Sequence, residues 1–262
     1  MSRFFDRRDE TAERIWTDLD ALPELAALAP PPRRSRRAVM LGGAGLAVAA
    51  GLAALPRADL ATARGEARAV TLPDGSRMVL DAASSADLRF QGDARVLHLH
   101  EGRADFQVAA AARHFVILSD SGRVITRGGA LTVHLWDAEM TVACHSGAVT
   151  VTGSNGGDIL LAGGQEVTVG PSGNDPIRAA SAAEREWQAG RLVFEDRPLR
   201  QVVADLGRHR SGRIVLRGEG IRELRVTGVF DAARSDAALD VIAGALPVRR
   251  RDLGPVTFLT PA

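Results

Sequence analysis

The sequence contains no lysine and no tyrosine, and Cys144 is its one cysteine. A single cysteine excludes an internal disulfide and any cysteine-based zinc cluster. All 33 basic residues are arginines, and 32 acidic residues balance them to a net charge of +1. No polybasic field therefore attracts nucleic acid, and with only 4% aromatic residues the chain lacks stacking platforms for bases. We expect no nucleic-acid partner.

Signatures of catalysis are missing as well. The sequence has no Gly-x-Ser-x-Gly, His-Glu-x-x-His or Walker pattern, and no spacing of carboxylates singles out an acid and base pair. We therefore expect a protein that is not an enzyme, with no catalytic residue and no cofactor.

Histidines give the one pattern that suggests a metal site. His98 and His100 lie two apart on a predicted strand and share a face, so with His114, His134 or His145 they could bind a metal. We favour the simpler interpretation, in which the polar face of a strand carries two imidazoles, and we assign no metal ligand.

Two further features have structural interpretations. Cys144 and its neighbour His145 should point to opposite faces of one strand, which favours a buried thiol. The run Arg249-Arg250-Arg251 is typical of a solvated strand end, although contact with an acidic partner is the alternative.

Residues 38–55 form an uncharged stretch of about 18 residues, close to the minimum for crossing a bilayer. Arginines flank it asymmetrically, with four before it and one after it: Arg33, Arg34, Arg36, Arg37 and Arg57. By the positive-inside rule the N-terminus stays in the cytoplasm and the chain after Leu55 is exported. We predict a single transmembrane helix within residues 33–57 and a location in the inner membrane, with the C-terminus in the periplasm.

The same stretch admits two other interpretations. Ser35-Arg36-Arg37 resembles a twin-arginine export signal, and residues 61–63 read Ala-Thr-Ala, a signal-peptidase pattern. Cleavage after Ala63 would release the exported part. The third possibility is a buried Ala- and Gly-rich helix in a soluble protein.

Residues 1–32 form a short segment before the span. Apolar residues recur there at helical spacing, with acidic residues between them, and predict an amphipathic helix: Ala12, Ile15, Trp16, Leu19 and Leu22. Pro23 interrupts this pattern and residues 30–32, all proline, end it. One helix cannot bury its own apolar stripe, so a protein partner, the membrane surface or further chain must cover it.

Residues 64–175 alternate apolar and polar side chains with a period of two. Short runs such as 77–80, 95–99, 115–118 and 166–169 are separated by glycine-rich turns, including Pro73-Asp74-Gly75. Many short strands at this spacing predict an all-β sandwich, barrel or solenoid.

Residues 186–262 have a mixed pattern. A strand at 192–194 precedes a helix that starts at Pro198 and carries Leu199, Val202 and Leu206 on one face. Strands follow at 213–216 and 224–230, then a helix capped by Ser235 and strands near 248 and 256–259. The predicted fold class is a mainly β domain followed by a small α+β domain.

The exported part resembles the FecR family of anti-sigma regulators. The resemblance rests on an ordered set of short motifs: Gly65-Glu66, Val70-Thr71-Leu72-Pro73-Asp74-Gly75-Ser76, Val79-Leu80, Arg95-Val96-Leu97, Glu101-Gly102 and Ala104-Asp105-Phe106. The C-terminal domain is similar to the short N-terminal signalling domain of TonB-dependent receptors and secretins. The residues that carry this second likeness are Trp187, Leu192, Phe194, Leu199 and Phe230, and the resemblance implies that their domain docks a receptor.

This resemblance implies a signal relay across the envelope. An outer-membrane receptor for siderophore or haem would contact the exported C-terminal half through its own signalling domain. The cytoplasmic helix would contact an extracytoplasmic-function sigma factor through Ile15, Trp16, Leu19 and Leu22, often after cleavage by a membrane protease. The rival expectation is a periplasmic binding module, exported by the twin-arginine signal at Arg36-Arg37, with no cytoplasmic role.

Two departures from the family pattern alter these expectations. The cytoplasmic segment is about half the usual length. In addition, members commonly carry a Leu-Gly-Thr strand at whose Gly-Thr bond some are thought to cleave themselves by an acyl shift. Here the matching position is Gly129, which has no hydroxyl, so we predict no self-cleavage after Gly128.

Overall fold

The computed structural model describes residues 58–262. The predicted cytoplasmic helix and the predicted span therefore lie outside the described part of the chain. Among residues 58–262, no helix has the length and apolar character needed to cross a membrane.

The first domain is a β-sandwich whose two layers share a pair of long strands, β8 (Gly122–Trp136) and β9 (Glu139–Gly153). In layer 1 the strand order is β1-β4-β5-β7, followed by the first half of β8, the second half of β9, and β10. Its other strands are β1 (Leu60–Ala61), β4 (Ser85–Arg89), β5 (Arg95–Glu101), β7 (Phe115–Ser119) and β10 (Asp158–Ala162).

Layer 2 has the order β2-β3-β6, followed by the second half of β8, the first half of β9, and β11, on which two short strands pair. Its other strands are β2 (Arg68–Thr71), β3 (Arg77–Leu80), β6 (Arg103–Val108), β11 (Gln165–Gly170), β12 (Gly173–Asn174) and β13 (Arg178–Ala179).

A bend in the β8–β9 hairpin folds one hydrogen-bonded sheet into two layers. The register shifts between Thr126 and Gly129, where β8 leaves β7 and begins to pair with β6. Gly129, with φ of 115°, lies opposite Gly147, with φ of 84°. Residues that carry a side chain rarely adopt such backbone dihedrals, whereas glycine does so readily. The two glycines therefore permit the bend. The structure thus selects a sandwich from the three predicted β architectures.

The core of the sandwich lies between the layers. Phe106 of layer 2 meets Phe115 of layer 1 edge to face, with ring centroids 6.0 Å apart, and both are fully buried. Phe106 therefore anchors the core face of its strand, as its position in the β6 alternation suggests. The predicted turn at Pro73-Asp74-Gly75 is also present, because Gly75 has φ of 82° and Asp74 Oδ1 accepts the Ser76 N–H.

The second domain is α+β, as predicted. A 3₁₀ helix (Ala182–Ala189) leads into a two-stranded sheet, a three-stranded sheet of order β15-β18-β17, and three α-helices. The elements are β14 (Arg191–Pro198), α1 (Leu199–Arg208), β15 (Arg213–Leu216), α2 (Glu219–Arg222), β16 (Arg225–Asp231), a 3₁₀ turn (Ala232–Arg234), α3 (Ser235–Ala245), β17 (Val248–Leu253) and β18 (Val256–Pro261).

Helix α1 begins directly after Pro198 and buries Leu199, Val202 and Leu206 in a separate core, as the helical spacing predicts. The predicted cap of α3 is wrong. Ser235 is the first helical residue, and its hydroxyl donates to the Ala232 carbonyl. The 3₁₀ turn before it leaves no extended residue at that point to act as the cap.

We expect Gly129→Ala to destabilise the sandwich by roughly 1–3 kcal/mol, the usual cost of a forced backbone conformation. A Cβ at Gly129 would lie 2.3 Å from the Ser146 carbonyl oxygen, so the hairpin bend must open. Urea unfolding measures the loss. Gly244→Ala is the matched control, because a Cβ there meets nothing within 4 Å, and it should be neutral or stabilising. Equal stability of the two variants would contradict a strict need for glycine at the bend.

Candidate functional site

The second domain covers the polar face of layer 2. Side chains on the second half of β8 alternate, so that Leu131 and Val133 enter the sandwich core while Thr132 and His134 point the other way. Both polar residues are nevertheless only 1% exposed. The polar composition of this face predicts exposure to solvent, but the face is instead an interface between the two domains.

Arg103 of β6 lies at the centre of this interface. Its Nε and Nη2 atoms donate to Asp81 Oδ2 at 2.9 and 2.6 Å, and Nη1 lies 3.8 Å from Asp205 Oδ2. The guanidinium also stacks on the ring of Trp187, 4.9 Å from its centroid. One arginine of the sandwich thereby contacts both the 3₁₀ helix and α1 of the second domain.

Asp205 is the counterpart from the second domain. It is 2% exposed and lies on the buried side of α1. Its Oδ1 atom is 3.2 Å from His134 Nε2 and 3.6 Å from the Nε of Arg208. Arg208 in turn donates to the Leu135 carbonyl at 3.2 Å. We call Asp81, Arg103, His134, Asp205 and Arg208 the interdomain charge cluster.

Burial and charge shift the titration of this cluster. Burial of His134 lowers its pKa to about 4, and the nearby Arg103 adds to the effect, although Asp205 opposes it. For Asp205, burial alone would raise the pKa, but His134 and Arg103 outweigh burial and lower it well below its usual range. The cluster therefore holds an ionised carboxylate and, near neutral pH, an uncharged imidazole.

Other ion pairs join the domains around the cluster. Arg185 Nη2 donates to the buried Asp105 at 2.9 Å, and Arg200 donates twice to Glu139, at 3.0 and 3.1 Å. Arg197 reaches the buried Glu166 at 3.5 Å. Each of these arginines belongs to the second domain and each carboxylate to the sandwich, so the contact is electrostatically complementary.

Several polar atoms in the interface remain unsatisfied. Within residues 58–262, buried atoms without a hydrogen-bond partner include Trp187 Nε1, Gln201 Oε1 and Arg208 Nη1. Native proteins pair most buried polar groups, and a partly satisfied polar network is less stable than an apolar contact of the same area. The two domains are thus held by a contact that costs less to separate than a continuous core.

The residues that resemble a receptor-type signalling domain lie mostly inside it. Leu192, Phe194 and Leu199 are at most 3% exposed and form the core of the second domain, with Phe230 packed against them. Trp187 joins the same core and also contacts Arg103. These side chains build the domain, so a docking partner would meet other, exposed residues.

The histidines do not assemble as a metal site. His98 and His100 do lie side by side, with ring centroids 4.3 Å apart, and His100 pairs with Asp87 at 2.9 Å. His134 instead belongs to the interdomain charge cluster, and His145 contacts the Thr132 hydroxyl at 2.8 Å. Across residues 58–262, no group of three or more potential ligands is placed to hold a metal ion.

The remaining candidates have structural surroundings. Cys144 is fully buried in the sandwich core, and burial raises the pKa of its thiol, whereas His145 points to the opposite face. Arg250 pairs with Asp236, Asp240 and Asp252. Arg249 and Arg251 are less confined, since both side chains are partly or fully exposed.

The predicted sigma-contact residues Ile15, Trp16, Leu19 and Leu22 lie outside the described residues, as do Arg36 and Arg37. No pattern in the sequence indicated the interdomain charge cluster. One hint was present, because Asp205 falls on the apolar face of the α1 pattern, but a single acidic residue does not identify its partner.

Self-cleavage after Gly128 would need a nucleophile on the next residue, but that residue, Gly129, has no side chain. Gly129 also lies at the hairpin bend. We expect the purified protein to run as one intact band on denaturing gels after prolonged incubation. Two stable fragments whose new terminus maps to Gly129 would contradict this expectation. The Thr126 hydroxyl, which donates to the Gly128 carbonyl at 2.9 Å, would then be the group to replace by valine.

Comparison with known proteins identifies the first domain. Residues 58–150 match the sequence model of the FecR protein family, which spans β1 to most of β9. Over these residues the chain is therefore similar to the FecR family, as the ordered motifs predicted. A search of curated proteins gave no match.

Solved structures support the arrangement of the fold. Two crystal structures of a protein described as a "putative anti-sigma factor" from Parabacteroides distasonis ATCC 8503 match with TM-scores of 0.68 and 0.69. Their identities to this chain are 24% and 23%, and each match covers 78% of this chain and 98% of the other. The similarity therefore extends beyond the FecR domain and includes the second domain.

Proposed function

We propose that this protein is an anti-sigma regulator that relays a signal from the outer membrane to an extracytoplasmic-function sigma factor. The FecR domain and the fold shared with a protein described as an anti-sigma factor support the regulatory role. In this proposal residues 33–57 anchor the chain in the inner membrane, and residues 1–32 contact the sigma factor. The exported α+β domain receives the signalling domain of a TonB-dependent receptor, for iron-siderophore or haem.

The observation that carries the relay is the interdomain charge cluster. Receptor docking on the α+β domain would change the contacts of α1, and α1 supplies Asp205 and Arg208 to the sandwich. A polar interface with unsatisfied atoms can rearrange at modest cost, so docking energy of a few kcal/mol is sufficient to shift it. The sandwich then passes the change towards the span and exposes the chain to a membrane protease.

The position of residues 61–63 favours an anchored protein over a cleaved module. Leu60 and Ala61 pair with Ala86 and Ser85 as strand β1, and the Thr62 hydroxyl donates to the Asp81 carbonyl at 2.5 Å. Cleavage after Ala63 would remove this strand from the sandwich. A signal peptidase requires an accessible, extended chain, so a pattern within a paired strand is a poor site.

Co-purification tests the proposal. The tagged full chain is expressed with each extracytoplasmic-function sigma factor of its source organism, and membranes are solubilised and purified. We expect one sigma factor to co-purify, and we expect Trp16→Ala combined with Leu19→Ala to reduce its recovery about tenfold, a loss of about 1.4 kcal/mol. Leu28→Ala is the control, because it changes the same segment outside the predicted stripe.

Two outcomes would count against the proposal. Recovery of a sigma factor that is unaffected by the double substitution would remove the predicted contact. A mature N-terminus at Arg64, measured by mass spectrometry of the membrane and soluble fractions, would favour the exported binding module.

A further inference from the structure

A groove of about 680 Å³ runs between the sandwich and the second domain. The whole of β15 lines it, together with Val203 and Gly207 of α1, and Leu135 and Trp136 from the sandwich. Its lining mixes apolar and charged residues, with more polar than apolar surface, and one of its walls is a β-strand. This groove is separate from the interdomain charge cluster, although Arg208 borders both.

The strand along the groove has an unused edge. In the three-stranded sheet, β15 pairs with β18 alone among the described strands. The N–H groups of Arg213 and Arg217 donate to β18 at the Pro255 and Leu259 carbonyls. Backbone groups alternate along a parallel ladder, so the N–H and C=O groups of Ile214 and Leu216 point away from β18, towards the groove.

The two edges of this sheet differ in chemistry. The outer edge, β17, carries arginines at 249, 250 and 251, and charged side chains of this kind protect an edge from pairing with another chain. At β15 three of four residues are apolar, Ile214, Val215 and Leu216, and all three are partly exposed. An apolar edge with free backbone groups is a template for strand addition.

The charges around the groove indicate the charge of the partner that would bind there. The second domain contributes only arginines to its charged lining, and the three carboxylates all lie on the sandwich wall. The arginines on the β15 side are Arg200, Arg208, Arg213 and Arg222. Within residues 58–262, Arg213 and Arg222 have no carboxylate at ion-pair distance, and both are exposed. A strand added to β15 would lie along this basic wall.

We propose that an extended acidic segment of a partner protein adds as a strand to the free edge of β15 in this groove. Backbone hydrogen bonds to Ile214 and Leu216 would fix the position of the added strand along β15. Acidic side chains would pair with Arg213 and Arg222 along the basic wall. This inference rests on the proposed docking of a receptor on the α+β domain, and it names the docking edge and the chemistry of the docked segment.

A second copy of the chain fits less well. Two copies paired through β15 would bring two arginine-bearing walls together, and like charges across a strand pair are destabilising. Concentration-dependent dimerisation that Arg213→Glu abolishes would therefore overturn the acidic-partner proposal.

The test uses the full chain in detergent and a fluorescein-labelled peptide of four Glu-Val repeats as probe. We expect the peptide to bind at least about tenfold more tightly than one of four Lys-Val repeats, and to slow amide exchange at residues 213–216. Arg213→Glu with Arg222→Glu should weaken binding about tenfold or more. The control pair Arg249→Glu with Arg251→Glu, on the opposite edge, should change it less than about twofold.

A second probe separates strand addition from simple charge attraction without altering the protein. The same acidic peptide, methylated on the nitrogen of every second residue, keeps its charge but loses the donors on one edge. We expect its affinity to fall about tenfold or more. Equal affinity of the methylated peptide, no effect of the Arg213 and Arg222 substitutions, or no binding at about 1 mM would each overturn the inference. None of these outcomes affects sigma-factor co-purification, so the two proposals fail independently.

Discussion

Arg103→Met is expected to destabilise the protein by about 3–5 kcal/mol, the usual cost of removing one partner of a buried ion pair. The change removes the cation that donates to the buried Asp81 and leaves the buried Asp205 with Arg208 alone. It also removes the guanidinium that stacks on Trp187. Because the methionine retains much of the aliphatic volume, the loss of stability reflects the missing charge interactions more than missing packing. Urea unfolding, followed by circular dichroism of the purified protein, measures the change.

A double-mutant cycle identifies the cause of this loss. Arg103→Met combined with Asp81→Asn should be more stable than the sum of the two single losses predicts, by about 1 kcal/mol or more, because the residues interact directly. Arg251→Met is the surface control and should change stability by less than about 0.5 kcal/mol. Strict additivity of the two buried substitutions would show that Arg103 acts through packing.

The wild-type protein is expected to lose stability between pH 7.5 and pH 5.0. In His134→Gln this loss of stability should be smaller by about 2 kcal/mol. The pKa of His134 is about 4 in the folded protein, against an ordinary value near 6.5. Below pH 6.5 His134 is protonated in the unfolded chain but stays uncharged in the folded protein, so acid favours unfolding. The contribution of this neutral histidine is full above pH 6.5 and declines as the pH falls towards 4.

Urea unfolding of the wild type and the variant at both pH values measures this difference. His98, whose pKa burial also lowers to about 4, should remain as a second source of acid sensitivity. His98→Gln should therefore remove a similar share, and the double variant should have the weakest pH dependence of the set. An unchanged pH dependence in His134→Gln would mean that His134 accepts a proton within the folded interface.

Local signals explain which parts of the fold the sequence could predict. The strand over Arg213–Leu216 and the helix after Pro198 follow from periodicity and from the fixed dihedral of proline. The turn at Gly75 follows from residue chemistry in the same way. The cap at Ser235 was wrong because a 3₁₀ turn precedes α3, and such turns have no distinct apolar period.

Long-range pairing explains what could not be predicted. Layer identity depends on where β8 changes partner from β7 to β6, and alternation along β8 is the same for a sandwich, a barrel or a solenoid. The interdomain charge cluster joins residues from Asp81 to Arg208, and no spacing within the sequence reports such a contact. The expected sigma-contact helix and span stay predictions, because they lie outside residues 58–262.

The sequence by itself determined the order of strands and helices, the turn positions and the FecR resemblance, because each of these depends on neighbouring residues. Only the tertiary structure decided that the polar face of layer 2 is buried and that β15 keeps a free edge. The physical reason is that alternation states which side chains share a face of a strand. It does not state whether water, a second domain or another protein will cover that face.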